Sequence, residues 1–464
     1  MTCKRIPLQG VFARIGTILL GTALVLGPLP LGSARPLPAL GLALLCGLAA
    51  VCSALDASPA HRGRALPRWA LLCLGAALSW PFVQQLPLPP GPWTHPAHAE
   101  AALVLGTVPE GRIALRPADT GLGHLHWLVP AAAFAAACRL GADAARARRL
   151  LAAAALAGGI YALHGLAVYA TGNATVLHMP KWAYPDALTA TFVNRNDFAA
   201  FAGLSIVAAV ASLQLAARHG ARSLPLLWAA LAALAIALPL TASRAGVASA
   251  AAAIALQAAV TAWKRPRLRI SPLLMLGLAL VPVVAMSGTI AARLAEAPAA
   301  LETRLALSRA SLSALAEAPL TGIGPGAFAD AVAPHLPPVL MPHVVWDSAH
   351  SAWIGGALAL GLPAFALLLA GLARIVLGCA GTVRRRRRGW VLPLAACAAA
   401  LQMALHGVFD EPLSVPAVAT LAAVLLGLGA AQAGAHGGTA ARPSDSAREI
   451  ARTASPSAPA RAQT

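Results

Sequence analysis

The sequence predicts an all-α, polytopic membrane protein with about twelve transmembrane helices, on the basis of its composition and its hydropathy pattern. The mean hydropathy is +0.71. Hydrophobic residues make up 58% of the 464 residues and charged residues only 11%, whereas ordinary soluble domains carry about 25% charged residues. Apolar runs of about 20 residues, the length that spans a bilayer as a helix, recur along the chain. These features exclude a soluble globular enzyme.

The individual spans are predicted from apolar segments that mostly end at Pro, Gly or Arg clusters. The twelve segments are residues 13–32, 36–55, 69–87, 122–138, 150–170, 197–217, 223–240, 245–263, 271–288, 351–378, 389–406 and 414–432. An even number places both termini on the same side, with the first segment kept as an uncleaved helix. We therefore expect a membrane domain at 1–432 and a disordered cytoplasmic tail, rich in Ala, Ser, Pro and Arg, at 433–464.

The distribution of charge predicts the orientation. The chain has 35 Lys and Arg residues against 16 Asp and Glu, a formal net charge of +19. Of the basic residues, 26 fall in the termini and in alternate loops, including the run Arg384 to Arg388, whereas 12 of the 16 acidic residues fall in the other loops. The basic set is predicted to be cytoplasmic. The excess charge thus predicts topology among membrane lipids and no nucleic-acid partner.

Two outward loops are long, and the second is the candidate for function. Residues 88–121 carry several Pro and Gly residues and are predicted to be irregular. The loop at 289–350 contains a helical pattern from about Pro298 to Ala318, then a Gly-rich turn at 319–326. A short helix and a Pro-broken stretch are expected to follow before the chain re-enters the membrane at His350.

Polar groups at the outward helix ends are the candidate functional residues, because such groups are costly at membrane depth. Arginines beside helix N-termini form a suitable trap for a phosphate or pyrophosphate, and an outward pyrophosphate beside a membrane suggests a polyprenyl-linked sugar donor. The candidates are Asn194, Arg195 and Asn196 before the sixth segment, Arg244 before the eighth, Arg304 and Arg309 on the loop helix, and Asp347 and His350 at the loop end.

Structural alternatives remain open for these residues. Arg195 and Arg244 could simply snorkel to lipid headgroups, and a lone His350 could be an interfacial structural histidine. Asp347 could orient His350 or remain a solvated carboxylate. His335, His343 and His350 match no metal template, and the chain has no Asp-x-Asp pair, so neither a metal nor a cofactor is expected. The Gly322 to Gly326 stretch lacks the Lys-Ser/Thr of a phosphate-binding loop and predicts a turn.

Four blocks of sequence resemble the O-antigen ligase/polymerase family of membrane proteins. They are Thr191-Phe-Val-Asn-Arg-Asn-Asp-Phe-Ala199, Thr241-Ala-Ser-Arg-Ala-Gly246, Arg304 through Pro319-Leu-Thr-Gly-Ile-Gly-Pro-Gly-Ala-Phe328, and Ala349-His-Ser-Ala-Trp353 followed by Gly361-Leu-Pro363. The chain departs from the family pattern in three places. Arg195 stands where Pro is common, Ser308 replaces an aromatic residue, and Ser351 replaces an asparagine.

This resemblance implies a function and the roles of three residues. Family members transfer a saccharide from an undecaprenyl-pyrophosphate carrier to an acceptor, either lipid A-core or another glycan, at the periplasmic face of the bacterial inner membrane. His350 matches the histidine proposed to activate the acceptor hydroxyl, and Arg244 and Arg304 match arginines thought to hold the pyrophosphate. The chemistry agrees, because a base with a near-neutral pKa and preorganised guanidiniums suit a metal-independent transfer.

Ligase and polymerase activity are nearly balanced alternatives, with a slight preference for the ligase. A transporter of the bicarbonate type is a rival from another class. The sequence shows no convincing inverted repeat, and its polar groups concentrate on the outward face rather than at mid-helix depth, which disfavours transport. A protein-directed oligosaccharyltransferase is a third possibility, but nothing in the sequence identifies a peptide acceptor.

Overall fold

The computed structural model describes residues 10–56, 66–88, 91–107, 111–116, 123–216, 223–265, 297–340 and 346–434. Within these ranges the chain forms fifteen α-helices. The first eight are α1 Val11–Leu26, α2 Pro36–Leu55, α3 Arg68–Val83, α4 Pro96–Leu105, α5 Leu125–Leu140, α6 Ala144–Ala170, α7 Arg195–Ala216 and α8 Leu224–Leu240. The other seven are α9 Arg244–Lys264, α10 Ala297–Glu317, α11 Phe328–Val332, α12 Ala352–Leu360, α13 Leu362–Arg385, α14 Val391–His406 and α15 Pro416–Gly434.

The helices bear out the prediction of a mostly helical, multi-pass membrane protein. Six of the described helices are long and apolar enough to cross a membrane, namely α2, α6, α7, α9, α13 and α15. Five shorter apolar helices, α1, α3, α5, α8 and α14, coincide with further predicted segments. The predicted segment 271–288 lies outside the described residues, so the total of twelve spans stays a prediction.

Helix α7 is the centre of the bundle. It packs against α6, α8, α9 and α14. In its most apolar stretch, 94% of the residues are buried inside the protein. A helix that is apolar on every face is expected to be surrounded by other helices. Small residues allow the close packing, since a Cβ at Gly203 would lie 2.9 Å from the Cβ of Ala250 on α9.

The predicted segment 351–378 is not one continuous helix, because it is broken at Gly361. This glycine has a φ of 76° and separates α12 from α13. The turn at 319–326 packs into the break. The N–H of Leu362 donates to the carbonyl of Pro319 (2.8 Å), and that of Ile323 donates to the carbonyl of Leu358 (3.0 Å). The break therefore anchors the loop segment to the helix bundle.

Two smaller expectations also need correction. The loop 88–121, predicted to be irregular, contains the helix α4, which begins at Pro96 after its N-cap, His95. Proline at the first helical position costs no hydrogen bond and favours this start. The all-α prediction missed a two-residue antiparallel hairpin, in which Thr175–Val176 pairs with Met179–Pro180 between α6 and α7.

Residues predicted to share the cytoplasmic side lie at one end of the bundle. The Nζ of Lys264 at the end of α9 donates to the carbonyl of Arg384 (3.0 Å). The Nη atoms of Arg386 donate to the carbonyls of Gln432 (2.9 Å) and Ala433 (2.7 Å). These carbonyls belong to the last turn of α15, where helices leave acceptors unpaired. One member of the arginine run thus caps the final described helix.

Candidate functional site

His350 and Asp410 face each other at the opposite end of the bundle. Nδ1 of His350 lies 3.7 Å from Oδ1 of Asp410, which belongs to the turn between α14 and α15. Asp410 is buried, with 5% of its surface exposed, whereas His350 is partly accessible. The carboxylate of Asp410 raises the pKa of His350 above its ordinary value, against the opposing effects of burial and of Arg304. The pair is the centre of the candidate site.

An asparagine in the first turn of α7 supports Asp410. The side-chain amide of Asn196 donates to Oδ2 of Asp410, and the N–H of Glu411 donates to Oδ1 (2.9 Å). Burial by itself raises the pKa of Asp410. The imidazole of His350 and the hydrogen bonds from Glu411 and Asn196 outweigh the effect of burial, so this pKa lies below its ordinary value. Asp410 is therefore held as a carboxylate beside the imidazole.

Asn194 caps the helix that follows it. Its Oδ1 accepts the backbone N–H of Asn196 (2.9 Å), the arrangement of a helix N-cap at the start of α7. Both predicted asparagines thus contact the protein itself, one as a cap and one as a support for Asp410.

The backbone around His350 is held by the turn that carries Asp410. Oε1 of Glu411 accepts the N–H of Ala349 (2.9 Å), and the N–H of Ala352 donates to the carbonyl of Gly407 (2.8 Å). His350 itself has a φ of 49°, a left-handed conformation that is uncommon for a residue other than glycine. A strained conformation at this position is consistent with a functional constraint.

Glu411 approaches α12 closely at a glycine. A Cβ at Gly355 would lie 2.5 Å from Oε1 of Glu411, so no other residue fits without displacing the carboxylate. Burial raises the pKa of Glu411 to about 7, although the N–H groups of Ala349 and Ser351 act in the opposite direction. Glu411, which holds the backbone next to His350, is therefore a second titratable group in the site.

Tyr184, in the loop before α7, lies among the charged residues of the site. The guanidinium carbon of Arg195 is 5.1 Å from the centre of its ring. Burial raises the pKa of Tyr184 above its ordinary value. The charges of Arg195 and Arg304 lower this pKa, and those of Asp410 and Asp197 raise it. Arg304 also acts on His350. The structure thus brings Arg195, Arg304 and His350 into one electrostatic neighbourhood.

Arg244 begins α9 at the same end of the bundle. Oγ of Ser243 accepts the N–H of Gly246 (3.2 Å) and caps the helix. A Cβ at Gly246 would lie 3.4 Å from the ring of His406, the last residue of α14, whose carbonyl accepts the N–H of Asp410 (3.1 Å). The Arg244 side chain is exposed. The start of α9 therefore adjoins the turn that holds His350.

Arg309 and Asp347 are not brought into this group. Both side chains are exposed, and within the described residues neither forms a hydrogen bond or an ion pair with His350 or Asp410. The carboxylate that faces His350 belongs to Asp410, and the exposed Asp347 corresponds to the second of its two alternatives, a solvated carboxylate. Sequence reasoning missed Asp410, Glu411 and Tyr184. The one available signal was the adjacent acidic pair, Asp410 and Glu411, at an outward helix end.

No cluster of three or more potential metal ligands occurs among the described residues. Of the three histidines considered for a metal, His335 lies 3.3 Å from Oε1 of Glu317 and His350 faces Asp410. His343 lies outside the described residues. The two described histidines therefore have separate carboxylate partners.

A family model described as O-antigen ligase matches residues 229–369, a segment that includes Arg244, Arg304 and His350. No curated protein matches the chain. The residues that support His350 from either side of the matched segment, Asn196 and Asp410, lie outside it.

Proposed function

We propose that the protein transfers a glycan from undecaprenyl pyrophosphate to an acceptor hydroxyl, a function supported by the match of the O-antigen ligase family model to residues 229–369. The transfer takes place at the periplasmic face of the inner membrane. The observation that carries the proposal is the contact between His350 and Asp410. Arg195 and Arg304 lie in the same electrostatic neighbourhood, and α9 begins with Arg244 at the same end of the bundle. These groups supply a base and a set of cations without a metal.

His350 acts as the general base. Its Nδ1 faces Asp410, which leaves Nε2 to accept the proton of the acceptor hydroxyl. The acceptor oxygen forms the new bond to the anomeric carbon of the donor, and the bond from that carbon to the pyrophosphate oxygen breaks. The electron pair leaves with the undecaprenyl pyrophosphate. A hydroxyl is a weak nucleophile, so removal of its proton during attack lowers the barrier.

The arginines stabilise the leaving group. Negative charge develops on the pyrophosphate as the glycosidic bond breaks, and fixed guanidiniums interact with that charge more strongly in the transition state than in the ground state. Arg244 and Arg304 take this role, and Arg195 extends the cationic surface from the start of α7. Arginine suits the task because its planar fork binds two phosphate oxygens at once.

We favour a ligase, with lipid A-core as acceptor, over a polymerase that extends another carrier-linked glycan. The test is the banding pattern of surface glycan in a strain that lacks the gene, complemented with the wild-type chain or with His350→Ala. A ligase strain loses attached glycan and retains carrier-linked chains, whereas a polymerase strain shows single-repeat glycan. Normal banding with His350→Ala at normal membrane abundance would contradict the proposed role of His350.

A further inference from the structure

A cationic cavity lies at the other end of the bundle, far along the chain from the residues of the candidate site. Its volume is about 560 Å³, and it is formed by the first two turns of α1 and of α6 with the residues that precede them. Its lining residues are Gly10, Arg14, Thr17, Ile18, Asp143, Ala145, Arg146 and Arg149. The Lys and Arg distribution predicts that this end is cytoplasmic.

The guanidiniums of the cavity retain most of their hydrogen-bonding capacity. Nε of Arg146 donates to the carbonyl of Leu140 (3.3 Å) and Nε of Arg149 to that of Ala145 (3.4 Å). Each guanidinium has five N–H donors, so within the described residues these bonds leave the Nη groups of both residues for another acceptor. The side chain of Arg14 forms no hydrogen bond or ion pair with any described residue.

The net charge of the lining favours an anion. Three guanidiniums face one carboxylate, that of Asp143, and Oδ1 of Asp143 already accepts the backbone N–H of Arg146 (2.7 Å). The cavity therefore has more arginines than carboxylates. Such an excess of guanidinium groups is typical of sites that bind phosphate.

An apolar surface continues from the cavity along α1. Ile18, which lines the cavity, is 67% exposed, and Ile15 on the same helix is 41% exposed. Exposed apolar side chains on a membrane helix are suited to acyl chains. The arginines and this surface together match an amphiphile with an anionic head, and a free anion would leave the apolar surface unused.

We propose that this cavity binds the phosphate of an anionic glycerophospholipid from the adjoining leaflet, with the acyl chains along α1. Basic pockets between helix ends on the cytoplasmic side are suited to anionic lipid headgroups. The site is independent of the proposed glycan transfer, since none of its residues takes part in that reaction.

The test is native mass spectrometry of the purified full-length chain in detergent, titrated with phosphatidylglycerol or with phosphatidylcholine of the same acyl chains. We expect preferential retention of phosphatidylglycerol. Arg149→Ala should weaken its binding about tenfold, the change that corresponds to 1.4 kcal/mol. The matched control is Arg148→Ala, which removes the same charge from the adjacent position of α6 but does not line the cavity.

Three outcomes would overturn the proposal. These are equal binding of the two lipids, an equal loss with Arg148→Ala and Arg149→Ala, and displacement of phosphatidylglycerol by equimolar inorganic phosphate. The last outcome would identify free phosphate as the ligand. Arg14→Ala, on α1, provides a second variant if Arg149→Ala lowers the apparent unfolding temperature. It should also weaken the binding of phosphatidylglycerol.

Discussion

The carboxylate of Glu411 is bonded to the backbone N–H of Ala349 at 2.9 Å, across a separation of 62 residues. Ala349 immediately precedes His350, and Asp410 immediately precedes Glu411. Two successive acidic residues of one turn thus position the histidine, Asp410 through the imidazole ring and Glu411 through the backbone of the preceding residue. The imidazole and its carboxylate partner are consequently positioned by the same short segment.

Glu411→Ala should strongly reduce glycan transfer, because it leaves the N–H of Ala349 without its acceptor beside His350. The loss of a buried acceptor costs about 1–3 kcal/mol, so the apparent unfolding temperature should also fall. Glu411→Gln keeps one acceptor oxygen and should retain most of the activity. Measurement of transfer by the purified protein and of its thermal unfolding checks both variants. If Glu411→Ala is as active as the wild-type chain, the hydrogen bond to Ala349 is not required for transfer.

Gly355→Ala should also impair transfer, although the new methyl group touches no substrate. The added Cβ would lie 2.5 Å from Oε1 of Glu411 and would displace the carboxylate from Ala349. Gly41→Ala on α2 is the control, because a Cβ there has no neighbour within 4 Å. If both alanine variants transfer glycan at the wild-type rate, the close approach of Glu411 to α12 has no role in the site.

The pH dependence of transfer should depend on Asp410. A base must be neutral to accept a proton, so activity should fall as the pH drops through the pKa of His350, which Asp410 holds above its ordinary value. Asp410→Asn removes the negative charge and should move this acidic limb to lower pH while reducing the maximal rate. Asp347→Asn should leave the limb in place. Rates measured across the pH range with each variant test the assignment.

Arg304→Lys should lower the transfer rate about tenfold or more, which corresponds to a loss of at least about 1.4 kcal/mol of transition-state stabilisation. A lysine retains the charge but cannot bind two phosphate oxygens through a planar fork. Arg309→Lys is the matched change on the same helix and should have the smaller effect, since Arg304 acts on His350. The transfer rates of the two lysine variants, measured with a carrier-linked glycan, show which arginine stabilises the leaving group. A greater loss with Arg309→Lys would exchange the two roles.

Hydropathy was sufficient to predict the apolar helices, because polar groups are costly in a bilayer and membrane-spanning segments are therefore composed mainly of apolar residues. It could not reveal the break at Gly361. The residues on either side of this glycine are all apolar, so the run at 351–378 appears continuous. The only local signal was Pro363, which fits the first turn of a new helix.

The candidate site was predictable only in part. His350, Arg195 and Arg304 stand at helix ends or in the long loop, where a charge is informative by position alone. Asp410 acquires its place through contacts with Asn196, which is 214 residues away in the chain, and with His350. No pattern within one segment encodes such a contact, so the partner of His350 required the fold.

The burial of α7 has a consequence for biogenesis. Three of the helices that enclose it, α8, α9 and α14, follow it in the chain and are therefore synthesised later. During that interval α7 must partition into lipid that it does not contact in the finished protein. Its mean hydropathy of 2.0 favours this partitioning into lipid. Its small residues then allow the later helices to pack closely against it. A charge introduced at mid-helix would therefore impede membrane insertion before it disturbed any native contact.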